Sequence, residues 1–336
     1  MRKNILFITD ELEFKYFEFN KLVTNFWLIH EFLKRGYSVH ITTKGRLFVE
    51  NNKGKALCYP SYSTDENIFF DKKAEEKRTL NDFDIIFFRP DPPVDTDYIS
   101  ACYVFNYVDP SKTCTINNPL AIKDFNEKFH INYFPEYTPK NIVTASKTLI
   151  KEFISAEGEV ILKPLNRCFG SGVYYLKNGD KNINTIINSI TNEEKSPVMV
   201  QKYINSEIKG DKRVLIAGKK VFDECVYKLA SSDDFKFNDH CDKYFRKASL
   251  TPKEKQAALD VAEFLNKKGL WLAGLDVMDE KIIEINITSP CYFIKEINNF
   301  YNANFEIKLV DTIEEIADNY FSSMTGDVEN ERCCAV

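Results

Sequence analysis

Three polar residues near the C-terminus have the types and the spacing of a magnesium site. Asp276, Glu284 and Asn286 interrupt the apolar segment LAGLDVMDEKIIEINITSP, which alternates like a β-hairpin. A three-residue loop at 279–281 would place Asp276 directly across from Glu284, with Asn286 on the same face, whereas a two-residue loop would turn Asp276 away. Two carboxylates and a carboxamide suit Mg²⁺, which keeps waters and binds substrate phosphates. An ordinary hairpin with a solvent-facing polar side is the alternative.

A lysine that is followed by a glycine-bearing turn could bind a polyphosphate. Lys163 lies in the apolar strand ILKP, and Gly170, Ser171 and Gly172 come shortly after it. The backbone N–H groups of such a turn and a lysine ammonium can meet the same phosphate oxygens. The Walker pattern GxxxxGK[ST] does not occur in the sequence, and a single lysine in a strand is also typical of a solvent-facing side.

Two further cations are ambiguous in the same way. Lys128 falls in DFNEKFH, within the stretch 117–134 that the pattern predicts to be helical, and Arg213 enters a predicted strand in GDKRV. An arginine can contact a phosphate or a carboxylate through two parallel hydrogen bonds. An exposed helix lysine and a surface salt bridge are the alternatives, so neither residue decides the function alone.

The N-terminal third has the pattern of an open α/β domain. Its predicted elements are strands at 4–9, 38–42, 84–89 and 111–117 and a helix at 25–34. The polar stretch 60–77 has no strong pattern and is predicted to be a long loop. These elements begin as β-α-β, which favours a parallel sheet.

After about residue 118 the pattern changes to α+β. The predicted elements are strands at 139–144, 158–165, 198–203, 211–217 and 219–229, helices at 147–156, 182–190, 252–268 and 311–322, and the hairpin of Asp276. A chain of 336 residues exceeds the usual size of a single core, so two or three domains are expected.

Composition narrows the class of protein. With 45 basic and 50 acidic residues the net charge is -5, which disfavours a nucleic-acid surface. No apolar run reaches membrane-spanning length, and the opening MRKNILFITDE is predicted to be a strand and not a signal peptide. Nine cysteines without a C-x-x-C pair and four isolated histidines indicate reduced thiols, a cytoplasmic location and no zinc site.

The order of these parts resembles the ATP-grasp superfamily. More narrowly, the chain resembles the bacterial glutathione synthetase family over most of its length, from residue 4 to about 316. The resemblance is carried by FRPDPPVDTDYISACY, INNPLAIKDFNEK, VILKPL, GDKRVL and GLDV with EINITSP. It implies an ATP-grasp fold of mixed α/β and α+β structure: a Rossmann-like domain at 1–120, a small lid domain at 121–203, a C-terminal ATP-grasp domain at 204–324 and a flexible tail at 325–336.

The resemblance also implies how ATP and its metal ion would bind. Lys128 and Lys163 would hold the phosphates, under a covering loop formed by Gly170, Ser171 and Gly172. The segment that meets adenine would be Gln201, Lys202, Tyr203 and Ile204, with Asp211 near the ribose. Asp276, Glu284 and Asn286 would bind Mg²⁺, with Mn²⁺ as a possible substitute.

The activity that the resemblance implies is ATP-dependent amide formation. ATP would phosphorylate a peptide carboxylate, an amine would displace phosphate, and Arg213 would stabilise the phosphate or the acyl-phosphate. Glutathione synthesis from γ-glutamylcysteine and glycine is the default assignment, in a homo-oligomer such as a dimer or tetramer. A ligase for another amine or peptide, and an ATP-binding regulatory protein with reduced catalysis, are the alternatives.

The sequence departs from the family where the amine should bind. At 231–247 relatives carry a loop of the form GGETRGNLAAGG. In and just before this segment, Lys228 and Lys236 occupy the family's arginine positions, and Asn238 matches its asparagine. Lysine keeps the positive charge but cannot form a forked contact with a carboxylate. The predicted catalytic residues are therefore Arg213, Lys228, Lys236 and Asn238, and the identity of the amine stays open.

Overall fold

The computed structural model describes residues 4–11, 21–63, 68–168, 170–230 and 244–333, with the backbone alone at 325–333. In these residues three β-sheets are covered by helices. The first sheet contains β1 (Asn4–Thr9), β2 (Ser38–Thr43), β3 (Leu47–Glu50), β4 (Lys53–Ser63), β5 (Ile68–Phe70), β6 (Glu76–Thr79), β7 (Ile85–Phe88) and β8 (Cys114–Ile116). Its helices are α1 (Thr24–Lys34) and α2 (Thr96–Tyr103).

Strand β1 lies at the centre of the first sheet and is buried on both faces. The order is β3-β4-β2-β1-β7-β8, and β1, β2, β7 and β8 are parallel. On one face Phe7 stacks on Phe87 with ring centroids 4.3 Å apart and contacts Phe32 of α1, while Leu6 and Ile8 fill the core on the other face. A continuous apolar run is what such a doubly covered parallel strand requires.

The predicted loop at 60–77 is wrong. Strand β4 continues to Ser63, and β5 and β6 both pair with it in antiparallel register. The reason is visible in β6, whose sequence EKRT is polar because the strand lies at the edge of the sheet and is partly exposed. Its hydrogen bonds to β4 hold it in place without an apolar pattern.

The second sheet has the order β11-β10-β12-β9 and carries Lys163 and Gln201 on one face. Its strands are β9 (Asn141–Thr144), β10 (Glu159–Pro164), β11 (Tyr174–Lys177) and β12 (Val198–Lys202), and its helices are α4 (Lys147–Glu157) and α5 (Ile183–Ile190), which follow the short α3 (Pro119–Ile122). Val160 and Leu162 pack under α4 and α5. Because strand residues alternate, Lys163 points to the opposite face, where Gln201 of β12 also lies.

The third sheet carries the hairpin. Its strands are β13 (Gly210–Ala217), β14 (Lys220–Val221), β15 (Cys225–Leu229), β16 (Phe245–Ala248), β17 (Leu272–Met278) and β18 (Lys281–Asn286), and its helices are α6 (Pro252–Asn266), α7 (Ile294–Tyr301) and α8 (Phe305–Cys333). The order is β16-β15-β13-β17-β18, with β14 paired to β13. Val214 and Leu275 pack with α6, whereas Leu215 lies in the core with α7 and α8.

The hairpin turn differs from the predicted one. The strands β17 and β18 are joined by two residues, Asp279 and Glu280, both with positive φ. The pairing nevertheless places Asp276 across from Glu284, as predicted, because the register shifts between Asp276 and Val277 and leaves Ile283 as an extra residue. A β-bulge therefore corrects the face that a two-residue turn alone would give.

The stretch 117–134 is not one helix, contrary to the prediction. It contains α3 and a 3₁₀ helix at Phe129–Tyr133. Lys128 precedes this 3₁₀ helix, and the Asn126 side chain accepts hydrogen bonds from the backbone N–H groups of Lys128 and Phe129. Asparagine side chains compete with helical hydrogen bonding in this way.

The last helix is longer than predicted at both ends. Helix α8 begins at Phe305 and runs to Cys333, so it includes residues 325–333, for which the sequence predicts a tail. None of the helices in the described residues is long and apolar enough to cross a membrane.

Candidate active site

The hairpin brings its three candidate metal ligands to one face. Asp276 is buried, and Glu284 lies opposite it in the register. The Asn286 side chain donates hydrogen bonds to Asp276 Oδ2 at 3.2 Å and to the Gly274 carbonyl at 3.1 Å. Two carboxylates and one amide oxygen are therefore available on a single strand pair, with Asp276 buried and Glu284 and Asn286 partly exposed.

Asp276 is held by two cations from neighbouring strands. Arg213 Nε donates to Asp276 Oδ1 at 2.7 Å and Arg213 Nη2 donates to Oδ2 at 3.3 Å. Lys228 Nζ lies 3.4 Å from Asp276 Oδ1 and 3.0 Å from Asp211 Oδ1. Burial alone would raise the pKa of Asp276, but Arg213 and then Lys228 outweigh it and hold that pKa well below its usual range.

Asp211 differs from Asp276 in its electrostatics. Burial raises the pKa of Asp211, and the charge of Asp276 adds to that rise although Lys228 opposes it. Its Oδ1 is in ion-pair contact with Lys228 without the geometry of a hydrogen bond. Asp211 thus lies near the hairpin of Asp276, and its predicted position beside a ribose stays a prediction.

Gly274 makes room for the arginine. A Cβ atom at this position would lie 3.0 Å from Arg213 Cδ and 3.1 Å from Arg213 Nη1. Since Arg213 also donates to the Cys291 carbonyl at 2.9 Å, a side chain at 274 would push the guanidinium away from two partners. Sequence reasoning gave this glycine no role, although its position two residues before Asp276 was the available signal.

Lys128 is buried, contrary to the alternative of an exposed helix lysine. Its Nζ donates to Glu284 Oε1 at 2.9 Å and to the Arg167 carbonyl at 2.8 Å. Burial alone would lower the pKa of Lys128, but the charges of Glu284 and Glu127 outweigh it and raise that pKa. The structure therefore connects this lysine both to the hairpin and to the turn after β10.

Lys163 is buried without a carboxylate partner in the described residues. Its Nζ donates to Gln201 Oε1 at 2.9 Å and lies 3.4 Å from the Ile283 carbonyl. Burial lowers the pKa of Lys163. The Gln201 Nε2 group is buried with no hydrogen-bond partner. A buried cation and an unused amide donor on the same face fit a polar, anionic ligand.

The glycine turn lies between β10 and β11. Gly170 and Gly172 both have positive φ, which favours glycine. The neighbouring Cys168 Sγ donates to the Pro92 carbonyl at 3.3 Å, so the turn touches the loop after β7. Ser171 is exposed, and Phe169 lies outside the described residues.

In the predicted adenine segment the side chain of Gln201 contacts Lys163, whereas Lys202 and Tyr203 have other partners. The Lys202 side chain is about half exposed and pairs with Glu157 at 2.9 Å, so it points away from Lys163. Tyr203 donates its backbone N–H to the Glu159 carbonyl at 3.0 Å and its ring contacts Tyr175. Ile204 follows directly after these residues. The candidates Lys236 and Asn238 lie outside the described residues, whereas Lys228 lies within them.

Comparison with known proteins identifies the family. The chain matches the models of the prokaryotic glutathione synthetase N-terminal domain over residues 4–123 and of its ATP-grasp domain over 127–302. It is 33% identical to a glutathione synthetase of Vibrio cholerae over 294 residues. This aligned region covers 87% of this chain and 92% of the relative. The chain belongs to the prokaryotic glutathione synthetase family. A glutathione synthetase of a Nostoc species is 35% identical over 237 residues, which covers 70% of this chain and 72% of the relative.

Solved structures confirm the ATP-grasp fold. D-cycloserine synthetase DcsG superposes with a TM-score of 0.66 at 12% identity and covers 95% of this chain and 100% of its own. D-alanyl-alanine synthetase A of Vibrio cholerae gives a TM-score of 0.59 at 14% identity, with coverage of 95% and 99%. As a member of the prokaryotic glutathione synthetase family, the chain is an ATP-dependent, ADP-forming C–N ligase that uses a divalent metal ion.

The donor set fits the divalent metal that this family requires. Asp276 and Glu284 offer carboxylate oxygens, and Asn286 has an amide oxygen besides its two donated hydrogen bonds. No group of three or more His, Cys, Asp or Glu residues that could hold a metal occurs in the described part of the chain. An ion held by so few protein ligands must take others from water and phosphates, as Mg²⁺ does.

Two of the candidate phosphate cations are paired with the candidate metal ligands. Both candidate metal carboxylates are paired with candidate phosphate cations: Asp276 with Arg213, and Glu284 with Lys128. A divalent ion would bind the two carboxylates, and a polyphosphate would bind the two cations. When both ligands bind together, each carboxylate and each cation therefore exchanges one partner of opposite charge for another. The arrangement thus suits a metal–nucleotide complex better than either component alone.

A second polar cluster lies at the carboxyl ends of β1 and β7, where the resemblance to the family also includes Arg89 and Asp91. Asp10 follows β1, and Asp91 donates its backbone N–H to the Asp10 carboxylate. Burial, and then the charge of Asp10, raises the pKa of Asp91 to about 6. Arg89 donates to Asn25 Oδ1 at 2.5 Å and to the Pro290 carbonyl at 2.9 Å, which joins this cluster to the segment after β18.

Proposed function

We propose that this chain is a glutathione synthetase that joins γ-glutamylcysteine to glycine with Mg²⁺ as its metal ion. The observation that carries the proposal is 33% identity, over 87% of the chain, to a protein of that name, in a chain whose phosphate cations and metal carboxylates meet in one buried cluster. The donor carboxylate would attack the terminal phosphorus of ATP and release ADP. The glycine amine would then attack the acyl carbon, release phosphate and lose a proton.

Lys128, Lys163 and Arg213 would stabilise the charge of the transferring phosphoryl group. All three are buried, so their attraction to phosphate oxygens is weakly screened by water. When bound, the metal ion would neutralise phosphate charge, held by Asp276, Glu284 and Asn286. The turn of Gly170, Ser171 and Gly172 would cover the site and exclude water, which would otherwise hydrolyse the acyl-phosphate.

The peptide donor would bind between the first sheet and the hairpin. In the strand order the chain passes to opposite sides of β1, so the carboxyl ends of β1 and β7 mark the crevice where ligands of open α/β sheets bind. Asp10, Arg89 and Asp91 lie there. Arg89 donates a hydrogen bond to the carbonyl of Pro290, which follows β18. Asn25 lies beside these residues, because its Oδ1 accepts a hydrogen bond from Arg89 Nε at 2.5 Å, and Thr24 precedes it at the start of α1.

A ligase for a different amine is the second candidate. It is favoured by Lys228, which stands at an arginine position of the family loop and is buried against Asp211 and Asp276. A lysine engaged in this way offers the acceptor carboxylate no forked contact. The remaining acceptor candidates, Lys236 and Asn238, lie in 231–243, outside the described residues.

We predict that the purified protein with Mg²⁺, ATP, γ-glutamylcysteine and glycine releases ADP and forms glutathione. ADP would be followed by a coupled assay and the peptide by mass spectrometry. Omission of glycine is the control and should remove the amide product. ADP release only when another amino acid replaces glycine would establish the second candidate, and no turnover with any amine would favour a regulatory nucleotide-binding protein.

We also propose a cytoplasmic homo-oligomer, a dimer or a tetramer. The family resemblance supports the assembly, and the location is supported by the six cysteines whose side chains the structure describes, which are all free thiols. Light scattering on the purified protein would measure the assembly, and a monomeric mass at micromolar concentration would contradict it.

A further inference from the structure

The strand that carries Glu284 and Asn286 lies at the edge of its sheet. Strand β18 pairs with β17 on one side, and its other side needs acceptors for its outward N–H groups. The segment 127–137 supplies them: the Tyr137 carbonyl accepts from Ile282 N at 2.7 Å, and the Glu127 carbonyl accepts from Ile285 N at 3.1 Å. Beyond Asn286 the acceptor is a side chain.

That side chain is the carboxylate of Glu127. Its Oε1 accepts hydrogen bonds from Ile287 N at 2.7 Å, Thr288 N at 2.9 Å and Thr288 Oγ1 at 2.9 Å. Only 8% of Glu127 is exposed. A charged acceptor makes stronger hydrogen bonds than a neutral one, so the carboxylate fixes the backbone directly after Asn286.

A buried carboxylate is an unfavourable choice for a purely structural bond here. Burial, and then the charge of Glu284, raises the pKa of Glu127. The adjacent Lys128 offsets this because its charge lowers the pKa of Glu127 while its Nζ donates to Glu284. The adjacent residues Glu127 and Lys128 therefore fix the end of β18 and supply a cation that is predicted to bind phosphate.

We infer that Glu127 is a positioning residue for the divalent metal, holding Glu284 and Asn286 where they can share one ion. The inference rests on the proposed metal site but not on the proposed peptide substrates. Glu127 would act through the backbone of residues 285–288 and through the adjacent Lys128. Partners of metal ligands that act in this way typically change metal affinity tenfold to a hundredfold when they are removed.

The test is the affinity of the protein for Mn²⁺ in the presence of saturating ADP, followed by electron paramagnetic resonance. Glu127→Ala should raise the Mn²⁺ dissociation constant by about tenfold to a hundredfold. Glu127→Gln, which keeps an oxygen acceptor but loses the charge, should cause a smaller loss of about threefold or more. The Mn²⁺ spectrum should also change, because the geometry of its ligands changes.

Glu254→Ala is the matched control. Glu254 is another buried glutamate, which accepts from Thr251 N at 2.8 Å and pairs with Lys212 at 2.6 Å, on the α6 face of the same sheet. It should lower the melting temperature without changing the Mn²⁺ affinity. Equal Mn²⁺ affinity in Glu127→Ala and the wild type, or an equal loss in Glu254→Ala, would overturn the inference.

The outcomes also separate this inference from the proposed substrates. If Glu127→Ala does not fold, wild-type Mn²⁺ affinity in Glu127→Gln overturns the inference. If the wild type with ADP binds no Mn²⁺, both the metal site and the inference are wrong. If Mn²⁺ binds as expected and no glutathione forms, only the substrate assignment fails.

Discussion

Replacing Asp276 with asparagine should lower ATP turnover by at least about a hundredfold. The change keeps the size of the side chain but removes a negatively charged oxygen from the proposed metal site. It also weakens the hold on Arg213, whose Nε now donates to Asp276 Oδ1 at 2.7 Å. ADP release at saturating Mg²⁺, ATP and peptide substrates would measure the loss.

The matched control for this variant is Asp279→Asn. Asp279 lies in the same hairpin and accepts a hydrogen bond from Ser206 at 2.7 Å, but it sits in the turn at positive φ, which asparagine tolerates. Its turnover should stay within about twofold of the wild type, as for a surface substitution. Turnover in Asp276→Asn at the wild-type level would contradict the metal assignment.

Asp276→Asn should also lower the stability of the ligand-free protein. Asp276 forms ion pairs with Arg213 and Lys228. Breaking a buried ion pair by removing one partner costs about 3–5 kcal/mol. Asparagine retains part of the hydrogen bonding, so a decrease of about 3 kcal/mol in the free energy of unfolding is expected. Urea denaturation without ligands would measure it, with Asp279→Asn as the reference.

The sequence predicted the strand pairing of the hairpin better than its turn. Asp276 and Glu284 were paired correctly because both carboxylates must leave the apolar face of an alternating strand pair. The loop was wrong because the β-bulge at Ile283 has no signal in residue type. A bulge and an extra loop residue shift the register equally, so the pattern alone does not distinguish them.

Long-range contacts set the limits of prediction elsewhere. Lys128 was predicted to lie in a helix, and its burial depends on Glu284, which is 156 residues away. The polar strand β6 is held by pairing to β4 and not by its own sequence. Glu127 appeared only as a neighbour of Lys128, because its three bonds go to residues 287 and 288.

Lys163→Met and Lys128→Met should both weaken nucleotide binding but should differ in their effect on stability. Each removes one charged contact to phosphate, and such a contact contributes about 1.5–3 kcal/mol, or roughly a tenfold to a hundredfold change in affinity. Calorimetric titration with Mg²⁺ and ADP would measure it. Wild-type affinity in either variant would contradict the predicted phosphate role of that lysine.

The difference in stability follows from the partners of the two lysines. Loss of Lys128 leaves Glu284 without its cation, so the ligand-free protein should lose about 2–3 kcal/mol. Lys163 has no carboxylate partner in the described residues, and removing its charge relieves a desolvation cost while breaking its bond to Gln201. These two opposing contributions are each about 1–3 kcal/mol, so its free energy of unfolding should stay within about 1 kcal/mol of the wild type.

The dependence of stability on pH should reveal the charge of Lys163 directly. Because burial lowers the pKa of Lys163, the unfolded chain binds more protons than the folded one at pH values between that lowered pKa and the ordinary lysine value of about 10.4. The free energy of unfolding of the wild type therefore gains a contribution that rises with pH in that window, and Lys163→Met should lack it.

Lys128 should show the opposite dependence on pH. Its pKa is raised in the folded state, so its charge stabilises the fold below about pH 10.4, and this contribution is lost as the pH rises further. Urea denaturation of the wild type and both variants between neutral and alkaline pH would compare the slopes, and equal slopes in the wild type and Lys163→Met would show that Lys163 is not a destabilising buried charge.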